Sequence, residues 1–118
     1  MKKIILLCTS GMSTSLLVTK MRAEARVQKY NCTVRCYPEA VREDEFRDAD
    51  LVLLGPQIRY QLKRLREKYP DTQIETIPAK IYSEVDGAGL LNYARAKMNE
   101  PDAVAAADSG EFSRGSSL

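Results

Sequence analysis

Four short apolar runs, each separated from the next by a segment of helical or turn character, constrain this chain more than any other feature. "KIILLC" is unbroken and of buried-strand type, "CTVRCY" alternates, "DLVLLG" is a third run and "TQIETI" a weaker fourth. Between the first two, "STSLLVTKMRAEARVQKY" sets Leu17, Met21 and Ala25 on one helical stripe. Ile58, Leu62, Leu65 and Tyr69 step by four, three and four through "QIRYQLKRLREKY", a helix stopped by Pro70, while "EAVREDEF" has room only for a short helix or turn. A last helix is expected from about Asp86 to Asn99. Strand and helix in alternation predict right-handed crossovers and an α/β fold: a four-stranded parallel doubly wound sheet with helices on both faces.

At 118 residues the chain has room for one core, expected over residues 1–100. The remainder, "DAVAAADSGEFSRGSSL" after Pro101, is small and polar and reads as a flexible tail, native or cloning-derived. A net charge of +2 does not advertise a nucleic-acid or membrane partner. The longest apolar run, Ile4 to Cys8, is far short of the ~20 residues that span a bilayer, and the first residues are too short for a secretory signal, so the chain is expected to be cytoplasmic.

Three cysteines and no histidine narrow the chemistry. Cys32 and Cys36 lack the spacing of zinc or thioredoxin motifs and are expected to face the core beside Val34. Without histidine there is no Ser-His or Cys-His pair, and the commonest metal ligand is missing; no metal or cofactor is expected. A nucleophile here has to be activated by backbone, helix or partner.

Ligands of a doubly wound sheet sit beyond the carboxyl ends of its strands. The loops expected there are Cys8 to Thr14, Tyr37 to Glu39, Gly55 to Gln57 and Pro78 to Gly87. The first, "CTSGMSTS", is the most unusual: a strand ends at Cys8, Gly11 permits a positive φ, and a helix is expected to start near Ser13 or Thr14. The loop amides and the partial positive charge of a helix start suit an anion, with the hydroxyls of Thr9, Ser10, Ser13, Thr14 and Ser15 as further donors. The same field favours a thiolate at Cys8. A buried strand cysteine followed by a Ser/Thr-rich cap explains the same residues, and position alone does not separate the two readings. A phosphatase loop built on cysteine needs an arginine at the sixth position after the nucleophile; here that residue is Thr14. Lys3 is no substitute, since five strand residues put it roughly 17 Å away. The loop suits transfer of a phosphoryl group better than its hydrolysis.

"LLCTSGMSTSLLVTKMR", with "ADLVLLGPQIRYQL" and "VDGAGLL", closely resembles the IIB component of the bacterial phosphoenolpyruvate:sugar phosphotransferase system (PTS), lactose/cellobiose/chitobiose class, and most of all its cellobiose/chitobiose branch. The similarity runs over roughly residues 2 to 99. It implies an architecture like that of low-molecular-weight tyrosine phosphatases and flavodoxins. It also implies that Cys8 accepts a phosphoryl group from a phosphohistidine of the IIA protein and passes it to a sugar bound by the membrane IIC permease, with residues 9–15, Met12 among them, as the phosphate-binding loop. The chain would then meet the inner face of the membrane through IIC, as a monomer visiting two partners, with a cellobiose- or chitobiose-type β-glucoside as the sugar class.

Other readings bear on neighbouring residues. Gln57 is placed either to hydrogen-bond near the phosphate or to begin a helix after the Gly55-Pro56 turn. Tyr82 and Asp86 follow the fourth strand; Asp86 is favoured as a helix cap over a general acid. Arg59, Lys63, Arg64, Arg66 and Lys68 form a basic helix face, read as solvated or as a dock for an acidic partner rather than for nucleic acid. Met12, Leu16 and Leu17 are either partner contacts or core. Two other functions compete: a cysteine-dependent phosphatase or arsenate reductase, against which Thr14 argues, and a flavodoxin-like binder, which would have only Tyr37, Tyr60 or Tyr82 to stack a ring.

Overall fold

The computed structural model describes residues 1–8, 11–37 and 42–99. In chain order the elements are β1 (Lys2–Leu7), α1 (Gly11–Val27), β2 (Cys32–Tyr37), α2 (Glu43–Asp48), β3 (Leu51–Leu54), a 3₁₀ segment (Pro56–Gln61), α3 (Leu62–Lys68), β4 (Ile74–Thr76), α4 (Ala79–Ser83) and α5 (Gly87–Lys97). All strand pairs are parallel and the sheet order is β2-β1-β3-β4, with Lys2 opposite Cys32, Ile4 opposite Leu51 and Val52 opposite Ile74.

Strand periodicity divides the core in two. Side chains alternate across a sheet, so Ile4 and Leu6 of β1 and Leu51 and Leu53 of β3 face α1 and α5, meeting Leu17, Met21, Leu90, Leu91 and Ala94. Ile5, Leu7, Val52 and Leu54 face the other way, onto Phe46, Ile58, Leu65 and Tyr69. Each fully buried Leu or Ile contributes about 1.5–3 kcal/mol over leaving it in water. Phe46 stacks on Tyr69 with ring centroids 4.3 Å apart, which ties the short α2 to the end of α3.

Helix α1 follows the expected stripe of Leu17, Met21 and Ala25, all buried. It ends in a Schellman turn: Lys29 takes φ 54° while Tyr30 N donates to Ala25 O at 2.8 Å and Lys29 N to Arg26 O at 3.1 Å. Helix α5 lies close against α1. A Cβ on Gly87 would sit 2.7 Å from the Lys20 carbonyl carbon and 2.8 Å from Met21 N, so only glycine lets the two backbones approach this far.

Several expectations are corrected. Helix α1 begins at Gly11, not at Ser13 or Thr14, and no described glycine has positive φ, so Gly11 is a helix-starting residue and not a left-handed turn. "QIRYQLKRLREKY" is not one helix. Ile58 (φ −118°, ψ 21°) interrupts it because that side chain turns into the core just after Pro56, and regular α-helix resumes only at Leu62. The loop expected over residues 78–87 contains the separate helix α4. Cys32 and Cys36 flank the buried Val34 as expected but are only half-buried, since β2 is an edge strand with one neighbour. The expected tail from residue 101 and the loop at Glu39 lie outside the described residues. Among the described residues no helix is long and apolar enough to cross a membrane.

Candidate active site

The sheet order places a topological switch between β1 and β3, whose chain connections leave in opposite directions. Their carboxyl ends open onto one crevice, the usual ligand position in such folds. Cys8 is the first residue beyond β1 and Gly55 the first beyond β3. Gly55 N donates to Leu7 O at 2.8 Å and Cys8 N to Tyr37 O at 3.1 Å, so Cys8 is held by main chain from β2 while its neighbour Leu7 is held from β3. The Cys8 residue is 2 % exposed.

Four side chains are linked here. The Cys8 thiol donates to Gln57 Oε1 at 3.3 Å, and its sulfur lies 3.4 Å from the Tyr82 hydroxyl. Tyr82 OH in turn lies 3.3 Å from Thr14 Oγ1, and Thr14 is fully buried. Donor counting gives the chain a direction. A thiol has one proton, committed here to Gln57, so Tyr82 donates to sulfur and Thr14 donates to the Tyr82 oxygen. Three elements therefore meet at one sulfur, the end of β1, the 3₁₀ segment through Gln57 and α4 through Tyr82, and α1 backs the Tyr82 hydroxyl through Thr14.

Gly55 makes this possible by being small. A Cβ there would stand 2.8 Å from Cys8 Sγ and 2.8 Å from Gln57 Oε1. Sequence reasoning noted Gly55 only as a turn residue. The available signal was a glycine directly after a buried strand, which often marks a close approach. Cys36 adjoins the site through the sheet, since it pairs with Leu6, two residues before Cys8 and on the same face. Burial raises its thiol pKa, and the charge of Cys8 raises it further.

The other named residues fall as follows. Asp86 caps α5, its carboxylate accepting from Gly89 N at 2.8 Å, which is the cap reading favoured above. Ser15 is exposed on α1, its carbonyl accepting from Thr19 Oγ1 at 3.1 Å. Thr9 and Ser10, and the side chains of residues 11–13, lie outside the described residues. Leu16 is half-exposed whereas Leu17 is core. The basic face of α3 is partly engaged within the chain: Arg66 donates to Ile74 O at 3.0 and 2.8 Å and pairs with Glu75 at 3.1 Å, and Lys68 lies 3.7 Å from Glu43.

Residues 3–93 match the family model described as PTS system, Lactose/Cellobiose specific IIB subunit. The chain belongs to this family. As a IIB chain it is a sugar-specific phosphotransferase component of the phosphotransferase system. It is 39 % identical over 101 residues to the oligo-beta-mannoside-specific EIIB component of Bacillus subtilis (strain 168), covering 83 % of this chain and 97 % of that one. The solution structure of a cellobiose-specific IIB component from Borrelia burgdorferi matches with TM-score 0.69 and 33 % identity, over 86 % of this IIB chain and 94 % of the other. A lactose-specific IIB domain of Streptococcus pneumoniae shares the fold at TM-score 0.70 and 17 % identity, over 81 % and 96 %.

Proposed function

We propose that this IIB chain is a phosphocarrier: Cys8 takes a phosphoryl group from a phosphohistidine of a IIA protein and passes it to a sugar bound by a IIC permease at the cytoplasmic face of the membrane. The observation that carries this reading is a thiol at the switch-point crevice, three residues before the start of the 17-residue helix α1, in a chain of this family. The thiol releases its proton to solvent and the thiolate attacks phosphorus in line. An S–P bond forms as the P–N bond to the donor imidazole breaks; the imidazole nitrogen keeps the electron pair and takes up a proton. In the onward step a sugar hydroxyl attacks, losing its proton, and the thiolate leaves.

Such transfer needs position and charge stabilisation more than further covalent machinery. The start of α1 offers unpaired amides and a partial positive charge to the phosphoryl oxygens. Tyr82 donates to the ionised sulfur, and Gln57 turns its amide so that Nε2 replaces Oε1 once the thiol proton has gone. Thr14, at the position where a phosphatase needs arginine, supports the Tyr82 hydroxyl and leaves water without an electrophilic partner to assist attack. A chain without histidine depends on another protein for the phosphohistidine. The sugar class is a β-linked di- or oligosaccharide, supported by the cellobiose and oligo-β-mannoside names of the relatives, with the cellobiose/chitobiose type as its first member to test.

Intact-mass measurement after incubation with phosphoenolpyruvate, the general phosphotransferase proteins and a cognate IIA tests this. One added phosphoryl group, lost in Cys8→Ser and retained when Cys32 and Cys36 are replaced, is the expected result. Absence of the adduct, with Cys8-dependent release of phosphate from p-nitrophenyl phosphate, would overturn it.

A further inference from the structure

Strand β2 is an edge of the sheet, and three hydrogen bonds fix which way its peptide groups point. Asn31 O accepts from Lys2 N at 3.2 Å and Tyr37 O from Cys8 N at 3.1 Å, so the odd-numbered residues turn toward β1. Peptide groups alternate along a strand, so Cys32, Val34 and Cys36 turn theirs outward. Arg22 marks that side, donating from Nε to Val34 O at 3.0 Å. Among the described residues its guanidinium is the one side chain bonded to this outward row.

The row borders an open groove of about 670 Å³ between β2 and α1. Arg22, Ala25 and Arg26 stand at i, i+3 and i+4 on the flanking face of α1. Ala25 and Val34 are buried, and the half-buried Cys32 and Cys36 complete an apolar floor. Arg22, Arg26 and Arg35 line the groove, and among the described residues no Asp or Glu does.

Charge decides the occupant. A second copy pairing edge to edge would set the same three arginines against themselves. A nucleic acid brings negative charge but not the peptide donors and acceptors, at strand spacing, that the outward row asks for. We propose that the β2 edge binds an extended acidic segment of a partner protein, which adds to the sheet as a fifth strand. Carboxylates on the α1 side of that segment meet Arg26 and draw the Arg22 guanidinium off Val34 O, freeing the carbonyl for the ladder. Against a neutral strand the Arg22 fork stays in place and blocks the edge, as charged groups on exposed edges do. The groove runs up to Tyr37, whose carbonyl accepts from Cys8 N, so the docked segment lies two strand spacings, roughly 10 Å, from β1.

Amide hydrogen exchange on the ¹⁵N-labelled full chain tests this with the peptide acetyl-Glu-Val-Glu-Val-Glu-Val-amide, with acetyl-Lys-Val-Lys-Val-Lys-Val-amide as the control. At ten times the dissociation constant of the acidic peptide, the amides of Cys32, Val34 and Cys36 are expected to slow about tenfold. Those of Thr33 and Arg35, already paired with β1, stay unchanged. Arg26→Glu is expected to weaken binding about fivefold, the loss of one exposed ion pair. Three results would each overturn the proposal: no slowing at millimolar acidic peptide, equal slowing by the lysine peptide, or slow exchange of the same three amides before any peptide is added. In the last case, dependence on protein concentration assigns the edge to a second copy, and independence assigns it to a segment of this chain.

Discussion

Replacing Gly55 with alanine tests the geometry of the site most directly, because the backbone there (φ −60°, ψ 151°) suits any residue and only space is in question. The new methyl would lie 2.8 Å from Cys8 Sγ, 2.8 Å from Gln57 Oε1 and 3.1 Å from Cys8 Cβ. Ordinary contacts are roughly 3.5–4.0 Å, so the sulfur has to retreat by roughly 0.7 Å or more. Gln57 is exposed and can swing away; Cys8 is 2 % exposed at the end of a central strand and cannot. Overpacking of this kind costs about 1–3 kcal/mol, offset by about 0.4–1 kcal/mol from the stiffer unfolded chain. The net loss is about 1–2 kcal/mol, which for a domain of this size lowers Tm by roughly 4–16 °C. Thermal unfolding of Gly55→Ala, Cys8→Ala and the double variant isolates the contact. Without the sulfur, Gly55→Ala is expected to cost about 0.5–1 kcal/mol less, a coupling within the range seen for touching residues. Alkylation of Cys8 by iodoacetamide should slow in the single Gly55 variant. A Tm at or above that of the parent, or the same penalty with and without the sulfur, would refute the reasoning.

Tyr82→Phe removes the hydroxyl between Cys8 and the buried Thr14; about 1–3 kcal/mol of destabilisation is expected, and about fivefold slower Cys8 alkylation at pH 7, with an unchanged alkylation rate counting against the role given to the hydroxyl. Asp86→Ala loses the cap on Gly89 N, so chemical denaturation should show a loss of about 1 kcal/mol while phosphoryl acceptance is retained; a selective loss of acceptance would return Asp86 to the chemistry. Burial raises the thiol pKa of Cys32 and Cys36 above the ordinary 9.0, so the folded chain holds protons that the unfolded chain releases. Their contribution is therefore full below that value and lost as pH rises past it, and the fall of Tm above pH 9 should be less steep when both are serine. An identical slope in the two proteins would remove these thiols from the account.

Much of the molecule is legible along the chain because its signals are local. The apolar runs at Ile4–Leu7 and Leu51–Leu54, the stripe of Leu17, Met21 and Ala25, and the Asp86 cap depend on residues within a turn or two of each other. The 3₁₀ segment was not legible, because the step of Ile58, Leu62, Leu65 and Tyr69 fits an ordinary helix. What breaks it is the pull of Ile58 into a core formed by distant residues. Helix α4 was missed for a related reason: five residues with none fully buried carry no periodic signal.

By itself the sequence determined the alternating α/β class, the placing of Cys8 at the end of a buried strand before a helix, and the lack of any histidine to serve as base or phosphate carrier. Only the tertiary structure decided what surrounds the sulfur. Gln57 and Tyr82 lie 49 and 74 residues from Cys8 in the chain, beyond the reach of any local rule. They meet because the sheet order puts the ends of β1 and β3 side by side and packs α1 and α4 over that junction, with a missing side chain at Gly55 leaving the sulfur its space.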